Sequence, residues 1–201
     1  DKGTCYIKLY NETPIHRDNF IKLAKKGFYN GLLFHRVIKS FMIQGGDQTS
    51  INAAPDAALG SGDSTDYTIP AEFRDSLFHK KGALAAARGD NPQKESSGYQ
   101  FYIVQGKVWN DSTLNVTETR RLNFKIPEWQ REVYKTIGGS PHLDRNYTVY
   151  GEVVKGIEMV DNVANSPTGK RDRPVTDVKM TVSVLSKREV KKLEKELSKA
   201  K

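Results

Sequence analysis

Cysteine is almost missing from this chain: one residue, Cys5, in 201. A single thiol excludes an internal disulfide. Cys5 also alternates in phase with Ile7 and Leu9, the pattern of a buried strand residue rather than of an exposed nucleophile. Histidine is scarce as well. His16, His35, His79 and His142 fall at no spacing that a metal site uses, so a zinc site is not expected. No apolar run approaches the length of a membrane span. No secretory signal is visible, yet the chain opens at Asp1-Lys2-Gly3 and enters a strand pattern almost at once, so a processed or trimmed start is the expectation. The net charge of +8 raises the question of nucleic acid, but half of that excess sits in residues 187–201. No helix-turn-helix, zinc-finger or RNA-recognition pattern accompanies it. Nucleic acid is therefore not an expected partner.

What the sequence does have is one dense stretch, Phe34-His35-Arg36-Val37-Ile38-Lys39-Ser40-Phe41-Met42-Ile43-Gln44-Gly45-Gly46-Asp47. It reads as two short strands joined by a turn at Lys39-Ser40. Alternation places Phe34, Arg36 and Ile38 on one face of the first strand, and sets Phe41 and Ile43 opposite Met42 and Gln44 in the second. The Gly-Gly that follows permits a sharp bend. From residue types alone, Arg36 is either a structural cation paired with a carboxylate or a functional one.

Three further stretches stand out. Gly82-Ala83-Leu84-Ala85-Ala86-Ala87-Arg88 is a strand of small residues, which leaves open space above it. In Ser97-Gly98-Tyr99-Gln100-Phe101-Tyr102-Ile103-Val104, Gln100 and Tyr102 share one face while Phe101 and Ile103 point to the core. The last is Pro141-His142-Leu143-Asp144-Arg145-Asn146-Tyr147-Thr148-Val149-Tyr150-Gly151-Glu152-Val153.

Together these four stretches resemble the signature of the cyclophilins, the peptidyl-prolyl cis-trans isomerases. Every fixed position of the first pattern, Phe-His-Arg-Val/Ile-Ile followed by Phe-Met-x-Gln-Gly-Gly-Asp, is met. The resemblance implies a mainly β fold: a closed antiparallel eight-stranded barrel with two helices capping its ends. It implies an enzyme that isomerises X-Pro bonds in unfolded or flexible polypeptides, as a monomer and without a cofactor. The alternative is a prolyl-peptide-binding chaperone module with little turnover, which would have been free to lose Arg36.

By the same resemblance, Arg36 and Gln44 are the catalytic pair. Phe41, Met42, Tyr102 and Leu143 form the proline pocket. Gln100 binds peptide backbone or the arginine, and Ala87 and Arg88 occupy positions where the backbone meets substrate. His35, His142 and Tyr147 complete the binding set, with His35 bracing its strand. Tyr102 stands where the common pattern has Phe, His142 for Trp, Tyr147 for His and Arg88 for Asn. The tyrosine at 147 resembles bacterial members and points, with the suspected processed start, to a periplasmic or cell-envelope protein.

The remaining chain frames these motifs. Residues 4–10 alternate as a strand. Thr13 and Pro14 offer an N-cap and first helical residue, Ile15, Phe20, Ile21, Leu23 and Ala24 an apolar face, and Gly27 a stop. Residues 48–70 read as a solvated loop. Residues 105–139 exceed what compact cyclophilins carry and read as an ordered insertion, because Trp129, Val133, Tyr134 and Ile137 call for burial. A second helix is expected over 156–164 and a closing strand over 177–185. The isomerase domain then spans 1–186, followed by a basic helical tail, 187–201. In that tail Val190, Leu193, Leu197 and Ala200 form a stripe, with Glu189–Lys192 and Glu196–Lys199 pairs beside it.

Overall fold

A computed structural model describes residues 2–199. The first strand, β1 (Tyr6–Leu9), is followed by α1 (Pro14–Lys25), the hairpin β2 (Arg36–Ile38) and β3 (Met42–Gly45), and the short β4 (Thr68–Ile69). Then come β5 (Ala83–Ala86), β6 (Ser96–Ser97), β7 (Phe101–Val104), α2 (Asp111–Arg120), α3 (Glu128–Thr136), β8 (Val149–Lys155), α4 (Ile157–Ala164) and α5 (Lys187–Lys199). Six strands form one antiparallel sheet in the order β1-β8-β5-β7-β3-β2, while β4 and β6 pair separately. The expected closed eight-stranded barrel is thus not what the strand pairing shows; among the described residues, α2 and α3 of the insertion and α5 of the expected tail add to α1 and α4, the two helices expected as caps.

The expected closing strand explains part of the difference. Residues 177–185 run extended but make only one isolated bridge, Leu33 with Lys179. Their backbone bonds go to residues 31–34: Phe34 N–H to Val178 O at 2.9 Å, and Met180 N–H to Leu32 O at 2.8 Å. Those partners lie upstream of β2, after the turn at Gly31 (φ 85°), so no regular edge ladder forms. Val178 and Met180 are nonetheless buried, as their alternation predicts.

The sheet separates two apolar clusters by strand alternation. Ile43, Leu84, Ala86, Phe101 and Ile103 join Phe20, Leu23 and Ala24 of α1 and Met159, Val160 and Val163 of α4 in the main core. Met42, Ala83, Ala85, Tyr102 and Val104 face the other way and meet Leu143 and Val149. Cys5 packs at the edge of the main core, where burial pushes its thiol pKa up to about 11, so it is a structural residue at neutral pH.

Helix α1 departs from its predicted cap. The Thr13 side chain makes no cap bond. Glu72 caps the helix from 57 residues away instead, accepting from Ile15 N–H at 3.2 Å and from His16 N–H at 3.0 Å. His16 Nδ1 lies 2.7 Å from the same carboxylate and is buried, while Ile15, assigned to the apolar face, is 50% exposed. Gly27 (φ 68°) ends the helix as expected, with Phe28 N–H reaching back to Leu23 O at 3.1 Å.

The insertion is ordered around its own small core of Leu114, Leu122, Ile126 and Tyr134, packed against Phe78. Asn110 closes a capping box with Thr113 at the start of α2. Buried Arg131 ties the two helices, 2.9 Å from Glu118 and 2.7 Å from Asp111. Trp129 and Ile137 depart from expectation: they are 53% and 54% exposed, although the Trp129 ring meets Phe78 edge-on at 5.2 Å.

Helix α5 has no buried residue, and its Glu196 pairs with Lys155 of β8 at 2.7 Å rather than with Lys199. Glu189 accepts from Ser186 N–H at 2.7 Å, capping the helix instead of pairing with Lys192. Ala200 of the expected stripe lies outside the described residues. Among the described residues no helix is long and apolar enough to cross a membrane.

Candidate active site

The hairpin β2–β3 puts Arg36 directly opposite Gln44, and β7 puts Tyr102 on the other side of Gln44. The turn between the strands forms at Lys39-Ser40, with Ser40 at φ 63° and Phe41 N–H bonded to Ile38 O at 3.1 Å. This turn alters the predicted facing. Phe41 precedes β3, so it joins Met42 in the second cluster rather than lying opposite it. Phe34 likewise precedes β2 and packs in the main core with Val37, away from Arg36. Gly46 (φ 96°) lets the chain bend against Tyr99, where any side chain would collide with the Tyr99 carbonyl.

A directional chain of amides orients the arginine. Arg36 Nη1 approaches Gln44 Oε1 at 3.4 Å, Gln44 Nε2 donates to Gln100 Oε1 at 3.1 Å, and Gln100 Nε2 donates to Gly60 O at 3.0 Å. Each amide donates onward, so the Gln44 oxygen is left facing the guanidinium. Asp172 Oδ2 lies 3.5 Å from Arg36 Nε; both side chains remain about half exposed, at 46% and 44%. Nothing in the sequence singled out Asp172. It reaches Arg36 through the tight turn Lys170–Asp172, in which Arg171 and Asp172 take φ of 57° and 59°.

Beside this chain, Met42, Tyr102 and Leu143 form one buried cluster with the half-buried Phe41 and Tyr147. Their common floor is Ala83, Ala85 and Ala87, small enough to leave room above the sheet. His142 precedes Leu143 in the short turn Pro141–Leu143, with its ring 5.4 Å from that of Phe41. Burial, with Arg121 nearby, lowers the His142 pKa to about 4, so it is neutral at physiological pH. Tyr147 meets Tyr102 edge-on at 5.9 Å, and the Arg88 guanidinium lies over the Tyr147 ring at 4.9 Å.

A groove of about 420 Å³ adjoins these residues and is lined by Gln44, Gly60, Tyr67, Ala87, Arg88 and Gln100 among others. The Ala87 backbone is already engaged: its N–H donates to Gln100 O at 3.0 Å and its carbonyl accepts from Ser97 N–H at 2.8 Å. Arg88 Nε is held on Asn146 O at 2.9 Å. His35 is the residue that the structure sets apart. It is 3% exposed, packs beside the Gly60 turn with neither ring nitrogen hydrogen-bonded among the described residues, and does not line the groove. Burial outweighs the nearby Asp47 carboxylate and lowers its pKa to about 4.

Sequence reading also missed what holds the rim. Asp47 is buried and closes the loop that follows β3, accepting from Thr49 N–H at 2.8 Å and from Gly60 N–H at 2.5 Å. Burial alone would raise its pKa; these bonds outweigh that and hold it below the usual carboxylate range. The "Gly-Gly-Asp" end of the motif was the available signal, since Asp readily caps a short helix.

Comparison with known proteins shows the family to which the chain belongs. The family model "Cyclophilin type peptidyl-prolyl cis-trans isomerase/CLD" matches residues 1–184. A Staphylococcus haemolyticus protein named "Putative peptidyl-prolyl cis-trans isomerase" is 34% identical over 179 residues, covering 89% of this chain and 84% of that protein. Its Staphylococcus saprophyticus counterpart is 35% identical over 181 residues. A Cryptosporidium parvum cyclophilin crystallised in the presence of the dipeptide Ala-Pro superposes with a TM-score of 0.63 at 21% identity, covering 92% of this chain and 96% of that one. The chain belongs to the cyclophilin-type peptidyl-prolyl cis-trans isomerases, enzymes that interconvert the cis and trans forms of X-Pro bonds.

Proposed function

We propose that this chain isomerises X-Pro bonds of flexible polypeptides through electrostatic stabilisation of the twisted amide by Arg36. The barrier to rotation is about 18–20 kcal/mol because the planar amide is resonance-stabilised. Twisting breaks that resonance and returns a lone pair to the proline nitrogen. A cation fixed near that nitrogen is favoured more in the twisted state than in either planar one, which is what lowers a barrier. Arginine suits the task, being permanently charged and rigid in its fork.

The observation that carries this reading is the placement of Arg36. Its guanidinium is half exposed, held by Gln44, and set beside the cluster of Phe41, Met42, Tyr102 and Leu143. A purely structural arginine would be expected to sit buried on its carboxylate. In this reading the apolar cluster receives the proline ring, and Gln100 and Arg88 hold the flanking peptide in the adjoining groove. His142 and Tyr147 wall the pocket.

The test is isomerisation of an Ala-Pro peptide. Arg36→Ala should lower kcat/KM by about a hundredfold or more, corresponding to about 3–4 kcal/mol of lost transition-state stabilisation. The circular dichroism spectrum should not change. A folded variant at the wild-type rate would leave only the binding-module reading.

A further inference from the structure

Behind the pocket runs a buried hydrogen-bond chain that the proposed mechanism does not use. The Tyr102 hydroxyl lies 2.9 Å from His79 Nε2, and the two rings stack with an angle of 12° between planes. His79 Nδ1 is 2.8 Å from Asp144 Oδ1, which also accepts from the His79 backbone N–H at 2.9 Å. The other carboxylate oxygen, Asp144 Oδ2, accepts from the Tyr134 hydroxyl at 2.6 Å. Exposure is 4% for Tyr102, 0% for His79, 4% for Asp144 and 0% for Tyr134.

The partners fix the proton positions. A carboxylate only accepts, so Nδ1 carries the proton, and the Nδ1–H tautomer leaves Nε2 to accept from the Tyr102 hydroxyl. Every bond in the chain therefore points toward Asp144. Asp144 follows Leu143 directly, so one carboxylate ties down two walls of the pocket, Leu143 through the backbone and Tyr102 through the imidazole. Its third partner belongs to α3 of the insertion. The link there is close. At Gly139 (φ 155°) an added Cβ would lie 2.6 Å from the Tyr134 ring, and Ser140 N–H donates to His79 O at 2.8 Å. The two departures from the compact pattern, the hydroxyl of Tyr102 and the insertion, are thus joined through His79 and Asp144.

We propose that Tyr134, Asp144 and His79 are positioning residues for the proline pocket, through which insertion helix α3 sets the orientation of the Tyr102 ring. This rests on the reading of Tyr102 and Leu143 as pocket walls. A chain serving only to staple the insertion would stabilise α3 without influencing turnover. A positioning chain moves kcat/KM, and its members act as a unit.

The experiment combines a double-mutant cycle with a spectroscopic signature. Tyr134→Phe and Tyr102→Phe each remove one hydroxyl and keep the ring. Each should lower kcat/KM on an Ala-Pro peptide about three- to tenfold, the scale of one hydrogen bond. The double variant should be no slower than the slower single one. In the wild type, the ¹⁵N resonances of His79 should show a protonated Nδ1 and an accepting Nε2 across neutral pH. A folded Tyr134→Phe at the wild-type kcat/KM, losses that multiply in the double variant, or a protonated Nε2 would each overturn the proposal. If Tyr134→Phe does not fold, the wild-type tautomer and the Tyr102→Phe rate decide. The tautomer is read without turnover, so failure of the chain is distinguishable from failure of the Arg36 mechanism.

Discussion

Arg36 does not act in an empty field. Asp172 lies 3.5 Å from its Nε, and a carboxylate at that distance cancels part of the potential that the guanidinium projects toward a substrate. Both groups are about half exposed, so solvent screens the pair and its worth is that of a surface ion pair, about 0.2–1 kcal/mol. Asp172→Asn should therefore raise kcat/KM on an Ala-Pro peptide, by less than about fivefold, and the gain should shrink in 1 M salt. A tenfold loss would show that Asp172 orients the arginine rather than attenuating it. At this scale the sequence is legible where chemistry constrains a residue type within a local pattern. Arg36, Gln44, Met42, Gln100, Tyr102 and Leu143 come together as their motifs predict. Asp172, Glu72 and the His79–Asp144 pair were not legible, because each acts on a partner dozens of residues away, and Tyr134, though 10 residues from Asp144, meets it only through the fold of the insertion.

Among the elements, α1, α4, α5 and the strands of the motifs are present while the closing strand expected over 177–185 is not, and the discrepancies arise where tertiary partners override local signals. Thr13 and Pro14 correctly mark the start of α1, but the orphan N–H groups go to Glu72. The alternation over 177–185 correctly marks Val178 and Met180 as buried, yet the segment finds no regular strand beside it. Helix α5 is the opposite case: its apolar stripe is legible and almost unused. No residue of it is buried, and its recorded tie to the sheet is the exposed Lys155–Glu196 pair at 2.7 Å. Solvent screens such a pair, so it adds little to stability. Removing residues 187–201 should leave kcat/KM on a short peptide within twofold of the full chain and lower Tm by no more than a few degrees. A truncated protein that folds but loses most of its turnover would place α5 in the site.

For the molecule as a whole, three histidines and Glu72 shape how stability follows pH in acid, and these four act with one sign. Burial lowers the pKa of His16, and lowers those of His35 and His142 to about 4. In the unfolded chain each histidine titrates near 6.5. A depressed folded-state pKa contributes stability that is complete above the unfolded value and is lost as pH falls toward the folded one, because the unfolded chain binds the extra protons. Glu72 extends the trend. Burial opposes it, but the bonds from His16 and Ile15 prevail and hold its pKa below the usual range, so its contribution is lost only in stronger acid. Each group that has titrated in the unfolded chain alone costs about 1.4 kcal/mol per pH unit, and half-buried His142 contributes less than that. From pH 6.5 to 4 the loss should reach a few kcal/mol, a substantial part of the about 5–15 kcal/mol that holds a domain folded. Calorimetry should show Tm steady above pH 7 and falling by about 10 °C across that window. Glu72→Gln should lower Tm at pH 7 by weakening the α1 cap and should flatten the curve below about pH 4; it leaves the His35 and His142 contributions in place but, by removing the carboxylate that opposes burial at His16, lowers the His16 pKa further. A Tm that does not change between pH 7 and 4 would mean that the buried imidazoles take up protons without unfolding the chain.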